Sequence, residues 1–257
     1  MVLFCPLASG SKGNAALIHY KDRTFLFDVG ISLKALHARF SQLNIPFESL
    51  EAIFISHEHH DHISGLKPLL SRYQIPVITN YATAEAIVEA INFCPQFYIF
   101  TSGEPFSFSN LSISPFSIQH DGIDPVAFRV TIENISIGIC TDLGFITNRV
   151  RHELQNCHIL YIEANHQPEM VERSLRPEKY KRRVLSRTGH LSNIEAAQLL
   201  SHISHPQLQK VYLAHLSSEC NTPEKAIQII SEYLDAHSIN LSLEIARQDQ
   251  ISSSITI

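Results

Sequence analysis

The segment Ala52-Ile53-Phe54-Ile55-Ser56-His57-Glu58-His59-His60-Asp61-His62 joins an apolar run directly to a cluster of histidines and one aspartate. The apolar run predicts a buried strand, and the polar residues after it predict a turn that enters a helix. Imidazole and carboxylate groups are the ligands that zinc and similar cations take in proteins. We therefore expect this segment to present several metal ligands on one side, the alternative being a solvated histidine-rich turn.

Three further candidate ligands occur later in the chain, each just after a run of strand character. His120 follows Leu111–Ile118, Asp142 follows Ile137–Thr141 and His215 follows Val211–Ala214. Loops at strand ends are where folds commonly place functional side chains. The wide spacing therefore favours a metal site that the tertiary structure assembles, and it makes a chance cluster a poor explanation.

The remaining strand and helix signals predict an α/β protein. Strand-like runs occur at Val2–Leu7, Ala15–His19, Thr24–Asp28, Ala52–Ser56, Leu111–Ile118, Ala127–Glu133, Ser136–Thr141, Ile159–Glu163, Val211–His215 and Leu241–Ala246. Apolar residues at helical spacing follow Asp28, Ser192 with Glu195 forms a capping box, and Thr222-Pro223 begins another helix. Two sets of strands with helices predict a four-layer α/β/β/α sandwich, and we expect one domain over residues 1–257.

Composition describes an ordinary water-compatible chain. The 257 residues are 44% hydrophobic and carry a net charge of −5, and the mean hydropathy is 0.00. No apolar run approaches the ~20 residues of a membrane span, and Met1–Leu7 is too short for a signal peptide. The five cysteines lack C-x-x-C spacing, which favours a reducing cytoplasm over a disulfide framework. An acidic chain that acts on nucleic acid needs a local basic patch.

The pattern H-x-H-x-D-H, followed at wide spacing by His, Asp and His, resembles the metallo-β-lactamase superfamily. Further segments are similar to the WalJ/YycJ-type bacterial proteins: Ala8–Asn14, His120–Val126, Glu163–His166, Gly189–Asn193 and His215–Asn221. The resemblance covers essentially the whole chain. It implies a dinuclear-metal hydrolase of the metallo-β-lactamase fold and an exonuclease role on DNA, with RNA as the open alternative.

The resemblance also implies a role for each candidate ligand. One metal ion would be held by His57, His59 and His120, the second by Asp61, His62 and His215, and Asp142 would bridge the two. Asp28 would support the ligands by hydrogen bonds without binding metal. Metal-bound hydroxide would be the nucleophile, and Asp61 would orient it. Nitrogen and oxygen ligands favour Zn²⁺, with Mn²⁺ as the alternative.

Glu163 and His190 are predicted to assist the leaving group. Glu163 ends the apolar run Ile159-Leu160-Tyr161-Ile162, and His190 lies in Thr188-Gly189-His190, just before a predicted helix. A histidine oriented and charged by a carboxylate is a suitable general acid for a departing alkoxide. The order resembles the Glu–His pair of ribonuclease Z and the Gly-His element of β-CASP nucleases. The alternative is that both residues are structural, and His166 is a second candidate for this role.

A basic stretch, Arg176–Arg187, contrasts with the acidic background and contains only one acid, Glu178. Its predicted phosphate contacts are Arg176, Lys179, Lys181, Arg182 and Arg183. Lys12, in the Gly10–Asn14 loop, is a further candidate. The alternatives are a solvated charged face for the stretch and a plain hairpin connection for the loop.

The sequence therefore predicts a metal-dependent phosphodiesterase, with DNA favoured over RNA as the substrate. A small-molecule hydrolase of thioesters or cyclic phosphodiesters is the alternative, since this fold hosts several reactions. A metal-binding sensor without turnover is a third class, and the seven filled ligand positions argue against it. The chain has no room for a β-CASP insertion, and nothing in it indicates a protein partner or a membrane.

Overall fold

The computed structural model describes all 257 residues and divides into two compact units. The first contains Met1–Glu104, Gly122–Val126 and Arg247–Ile257, and the second contains Pro105–Asp121 and Ala127–Ala246. Each unit has one seven-stranded mixed sheet. The expectation of one domain over residues 1–257 stays a prediction.

The elements alternate along the chain much as the sequence indicates. The strands are β1 (Val2–Ala8), β2 (Ala15–Tyr20), β3 (Arg23–Phe27), β4 (Leu50–Phe54), β5 (Val77–Asn80), β6 (Phe97–Phe100), β7 (Phe106–Phe108), β8 (Leu111–Ser117), β9 (Val126–Ile132), β10 (Ile135–Cys140), β11 (Ile159–Glu163), β12 (Lys210–Ala214), β13 (Leu243–Ile245) and β14 (Ile255–Thr256). The helices are α1 (Leu33–Gln42), α2 (His60–Ile63), α3 (Leu66–Leu70), α4 (Tyr81–Ile91), α5 (Asn148–Leu154), α6 (Pro168–Arg173), α7 (Glu178–Val184), α8 (Asn193–Ile203) and α9 (Pro223–Ala236). A short 3-10 turn covers Phe47–Ser49.

The sheet of the first unit has the order β14-β1-β2-β3-β4-β5-β6. β1, β2 and β3 pair antiparallel, whereas β3, β4, β5 and β6 pair in parallel. Parallel strands end at the same edge of a sheet. Asp28, which follows β3, and His57, which lies shortly after β4, are therefore delivered to one edge.

The sheet of the second unit has the order β13-β12-β11-β10-β9-β8-β7, and β10 to β13 pair in parallel. Asp142 lies just beyond β10, Glu163 is the last residue of β11, and His215 is the first residue after β12. Three candidate site residues thus lie side by side because three adjacent parallel strands end together.

Helix starts follow the local sequence signals. The Ser192 hydroxyl accepts from the Glu195 backbone N–H, and the Glu195 carboxylate accepts from the Ser192 N–H, so the predicted capping box is confirmed. Thr222 caps α9 with proline at its first position, as predicted. In the first unit, α1 buries Leu33, Leu36 and Phe40 against the apolar side of the sheet. None of the helices combines the length and apolar character that a bilayer crossing demands.

Several predicted strand bounds differ from the structure by one or two residues, among them the following two. The strand predicted at Thr24–Asp28 stops at Phe27, because Asp28 adopts a left-handed backbone conformation with φ of 60° that no strand continues through. The strand predicted at Leu241–Ala246 is shorter, Leu243–Ile245, and its residues are only half-buried at the end of the sheet.

Candidate metal centre and acid pair

The histidine-rich motif forms the turn into α2 that the sequence predicts. His59 is the N-cap residue of α2, and the side chains of His57 and His62 are fully buried. The ring of His57 lies 4.6 Å from the ring of His59 and 4.2 Å from that of His62, measured between centroids. The strand and the short helix together therefore bring three imidazoles of this segment to one place.

Asp28 fixes the orientation of two of these rings without belonging to their segment. Its Oδ2 lies 2.8 Å from Nδ1 of His62, so this nitrogen carries the proton. The Ser56 hydroxyl donates to the Asp28 carboxylate at 3.0 Å and lies 2.9 Å from Nδ1 of His57, from which it accepts. Both rings are thus held as the tautomer whose Nε2 can bind metal, and the role of Asp28 in supporting metal ligands stays a prediction.

Asn14 is a residue of this region whose role the sequence reasoning missed. Its side-chain amide donates to Oδ2 of Asp61 at 3.0 Å and lies 3.1 Å from Nε2 of His62. Its backbone N–H donates to the carbonyl of Asp61 at 2.7 Å, and its carbonyl accepts from the N–H of Gly30. A β-carbon at Gly30 would lie 1.6 Å from the Asp61 carbonyl oxygen. Glycine at position 30 is therefore what allows these three loops to meet.

The loop before β9 is tied to the same motif through Glu58. One carboxylate oxygen of Glu58 accepts from the N–H of Ile123 at 3.0 Å, and the N–H of Val126 donates to the carbonyl of Ser56. Glu58 therefore holds a neighbouring loop to the histidine-rich motif through one of its two carboxylate oxygens.

In the second unit, His120 and Asp142 are buried neighbours. Nδ1 of His120 donates to the carbonyl of Gly189 at 3.1 Å, which leaves the lone pair on Nε2. That Nε2 lies 3.6 Å from Oδ1 of Asp142. Two ligands at ~2.1 Å from one tetrahedral ion lie roughly 3.4 Å apart, so this spacing fits two donors to a common cation.

Glu163 is a fully buried carboxylate that organises the other half of this region. Its Oε1 lies 2.8 Å from Nδ1 of His190 and 2.9 Å from Nδ1 of His215. Its Oε2 accepts from the backbone N–H groups of Leu143 and Leu191 at 2.7 and 3.1 Å. Burial raises the pKa of Glu163, but the charges and hydrogen bonds of His190 and His215 outweigh burial and lower the pKa to about 2. The carboxylate is therefore ionised and lies within hydrogen-bond distance of His190, and the catalytic roles expected of the two residues stay predictions.

The backbone is strained where two of the candidate ligands leave their strands. Asp142 and His215 both have positive φ, 57° and 53°. Aspartate and histidine enter this region more readily than most residues, yet the conformation persists only where the surroundings impose it. The Leu143 N–H bond to Glu163 and the Asn165 side-chain bond to the His215 carbonyl, at 2.7 Å, supply that constraint.

The chemistry of the donors fits a divalent cation. Four of the predicted ligand histidines, His57, His62, His120 and His215, have Nδ1 committed to an oxygen, which presents Nε2 as the donor. In the second unit, ligand atoms of Asp142, Glu163, His190 and His215 lie within 4.8 Å of one another. This clustering of imidazole and carboxylate groups is the donor set that divalent metals take in proteins.

The basic stretch lies on and around α7, and its charges fall into two classes. Arg176 is ion-paired with Glu219, Arg183 with Asp121, and Lys181 with Glu178 at 3.4 Å. Lys179 and Arg182 are exposed and have no ion pair. Carboxylates of the same unit already partly neutralise three of the five predicted phosphate contacts.

Lys12 lies at the turn between β1 and β2, which is the hairpin connection weighed as an alternative. Its side chain is exposed, and its backbone N–H donates to the side chain of Gln248 at 2.8 Å. The backbone amide that could have contacted a phosphate is therefore engaged, and phosphate contact through the Lys12 side chain stays a prediction.

Comparison with known proteins gives a consistent result. Residues 23–216 match the model of the β-lactamase superfamily domain. The chain is 32% identical over 234 residues to the exodeoxyribonuclease YycJ of Bacillus anthracis, covering 90% of this chain and 89% of that protein. It is 33% identical to the exodeoxyribonuclease WalJ of Streptococcus pneumoniae, covering 86% and 83%. The metallo-β-lactamase fold protein YhfI of Bacillus subtilis superposes with a TM-score of 0.73 at 16% identity, covering 98% of both chains.

Proposed function

Since this chain belongs to the β-lactamase superfamily and has the α/β fold of its metallohydrolases, we propose that it is a metal-dependent exonuclease acting on DNA. Membership of the family and the close relation to two exodeoxyribonucleases make it a metal-dependent hydrolase of the WalJ/YycJ type.

The proposed ligand set follows the superfamily pattern. His57, His59 and His120 would hold one divalent ion, Asp61, His62 and His215 the other, and Asp142 would bridge both. The support is the orientation of the imidazoles, since the Nδ1 atoms of four of these histidines are engaged by oxygen acceptors. Two such cations, with Zn²⁺ favoured over Mn²⁺, would supply Lewis acidity and an activated water.

The chain's own groups carry the remaining steps. Asp61 accepts from Asn14 through Oδ2, and this bond restrains the carboxylate that would orient the attacking water. Nδ1 of His190 is bonded to Glu163, so Nε2 is the nitrogen that would deliver a proton to the departing oxygen. The ionised Glu163 stabilises the imidazolium that must exist before that transfer.

The observation that carries the proposal is the Glu163–His190 pair beside Asp142. Nδ1 of His190 lies 2.8 Å from Glu163 and 3.8 Å from Oδ1 of Asp142. A proton donor beside a bridging metal ligand is what cleavage of a phosphodiester needs, because the departing alkoxide is a poor leaving group. A thioester or β-lactam, whose leaving groups are better, would have less need of it.

The test is degradation of end-labelled oligonucleotides by the metal-loaded protein. We expect single- or double-stranded DNA to be shortened from an end, RNA to be cleaved more slowly, and Asp142→Asn to abolish both reactions. A matched control is Asp235→Asn, a substitution at the end of α9 remote in sequence from every proposed ligand. Turnover of thioesters or cyclic phosphodiesters with no turnover of DNA would replace the proposal by the small-molecule alternative.

A further inference from the structure

A pocket of about 330 Å³ opens in the second unit beside His190, and no role described above accounts for it. Its volume falls within the range of roughly 300–1,000 Å³ that small-ligand sites occupy. Its lining includes His166, His190, Leu185, Ile194, Glu195 and Gln198. Gln198 lies one helical turn after Ile194 and Glu195 in α8, four and three residues further along, so its side chain neighbours both of theirs.

His166 lines this pocket and has a buried ring nitrogen without a hydrogen-bond partner. The residue is 2% exposed, and its buried Nδ1 has no hydrogen-bond partner within the protein. A buried polar atom without a partner costs on the order of 1–3 kcal/mol, so such atoms usually mark a place where a ligand or water bonds. Burial lowers the pKa of His166 to about 4 despite the nearby charge of Glu163, so the ring is neutral and one nitrogen can accept a hydrogen bond.

The lining is unsuited to a phosphate group. It contains no lysine and no arginine, and it includes the carboxylate of Glu195. The amino end of an 11-residue helix would otherwise attract an anion. Here the capping box already occupies this helix end. The Ser192 side chain accepts from the backbone N–H of Glu195, and the Glu195 carboxylate accepts from the backbone N–H and the hydroxyl of Ser192 at 2.9 and 2.6 Å. Apart from the ring of His190, which the proposed mechanism commits to the departing oxygen, a phosphate would meet no cation here, and the Glu195 carboxylate would repel it.

The same lining suits a neutral group with both apolar and hydrogen-bonding surface. Leu185 and Ile194 are exposed apolar side chains on the wall, 42% and 36% exposed. The amide of Gln198, the neutral ring of His166 and the carboxylate of Glu195 can each bond to ring nitrogens, exocyclic groups or sugar hydroxyls. A nucleoside presents this combination, whereas a phosphate or an inorganic ion does not.

We propose that this pocket binds the nucleoside, base and sugar, that carries the departing oxygen of the scissile phosphodiester. The proposal rests on the proposed nuclease function, because it uses His190 as the proton donor. The oxygen that receives a proton from Nε2 of His190 must lie within hydrogen-bond reach of that ring. The nucleoside attached to the oxygen therefore lies beside His190, where the pocket is. Recognition of the departing nucleoside would then be separate from recognition of the phosphate, which belongs to the metals.

Direct binding tests the pocket independently of cleavage. Thymidine and deoxyadenosine are titrated into the metal-loaded wild-type protein, Ile194→Trp, which fills the pocket, and His202→Trp, a control on the exposed side of the same helix. We expect Ile194→Trp to weaken nucleoside binding at least about tenfold, and His202→Trp to leave it unchanged. Inorganic phosphate should bind all three proteins equally. Circular dichroism and metal content establish that each variant is folded.

Two further measurements keep the inference refutable. Gln198→Ala, an exposed truncation that cannot disturb the core, should weaken nucleoside binding about two- to tenfold, the range for one lost hydrogen bond. On DNA, the wild type should favour an intact end over an abasic end, and Ile194→Trp should treat the two alike. Equal nucleoside affinity in the wild type and both pocket variants would overturn the pocket. Intact nucleoside discrimination with no cleavage of any nucleic acid would instead overturn the nuclease function.

Discussion

Replacing His190 by alanine removes the proposed proton donor and leaves every proposed metal ligand in place. General acid catalysis contributes ~10²–10⁴ in rate, so DNA cleavage by His190→Ala should fall by that factor. Nδ1 of His190 donates to the fully buried carboxylate of Glu163 at 2.8 Å, and this charge-assisted bond orients the ring. Such bonds contribute about 1.5–3 kcal/mol, or roughly 10- to 150-fold in rate, so Glu163→Gln should lose about that much.

The assay compares two substrates in both variants. Rates are measured on a DNA oligonucleotide and on the p-nitrophenyl ester of thymidine 5′-phosphate, whose leaving group departs without needing a proton. His190→Ala should lose far more on DNA than on the ester. Metal content is measured in parallel, because Glu163 also bonds to His215 and its replacement can loosen that ligand. Equal losses of His190→Ala on both substrates, with both metals retained, would show that His190 positions the phosphate and donates no proton.

Three further perturbations have definite expected results. Asp28→Asn should weaken metal affinity about 10- to 100-fold in a chelator competition, because Asp28 holds the Nδ1 proton of a predicted ligand; an unchanged affinity would contradict that support. Replacing exposed Lys179 and Arg182 by alanine should reduce the salt dependence of DNA binding more than removing Arg176, which already neutralises a carboxylate; the opposite order would place the phosphate path elsewhere. His166 has its folded-state pKa lowered to about 4, so the unfolded chain takes up a proton first as pH falls below ~6.5, and stability that is complete above that pH is lost towards pH 4. By pH 5 this loss is about 2 kcal/mol, and His166→Gln in metal-free protein should lack it in denaturant titrations; parallel pH profiles would refute the assignment.

Local signals were sufficient for much of the fold. The apolar run ending at Ser56 predicted a buried strand, and a strand covers Leu50–Phe54 with the motif starting a helix just beyond it. The capping residues Ser192 and Thr222 start their helices as predicted. These features depend on residues within a few positions of each other, so the local sequence is enough to predict them. The positions of the candidate ligands at strand ends are predictable for the same reason.

Other features depend on partners far away along the chain, and only the tertiary structure could decide them. Nothing local to Glu163 reveals that one oxygen serves both His190 and His215 while the other holds the amides of Leu143 and Leu191.

The basic stretch illustrates the same limit. Its sequence predicts five cations that contact phosphate, yet Arg183 is ion-paired with Asp121, 62 residues earlier in the chain. Electrostatic fields depend on distance in space and on burial, and sequence spacing specifies neither for residues that the fold brings together. Residue types therefore determined which chemistry this protein can perform, and the fold decided which of those residues are charged, oriented and still available to a substrate.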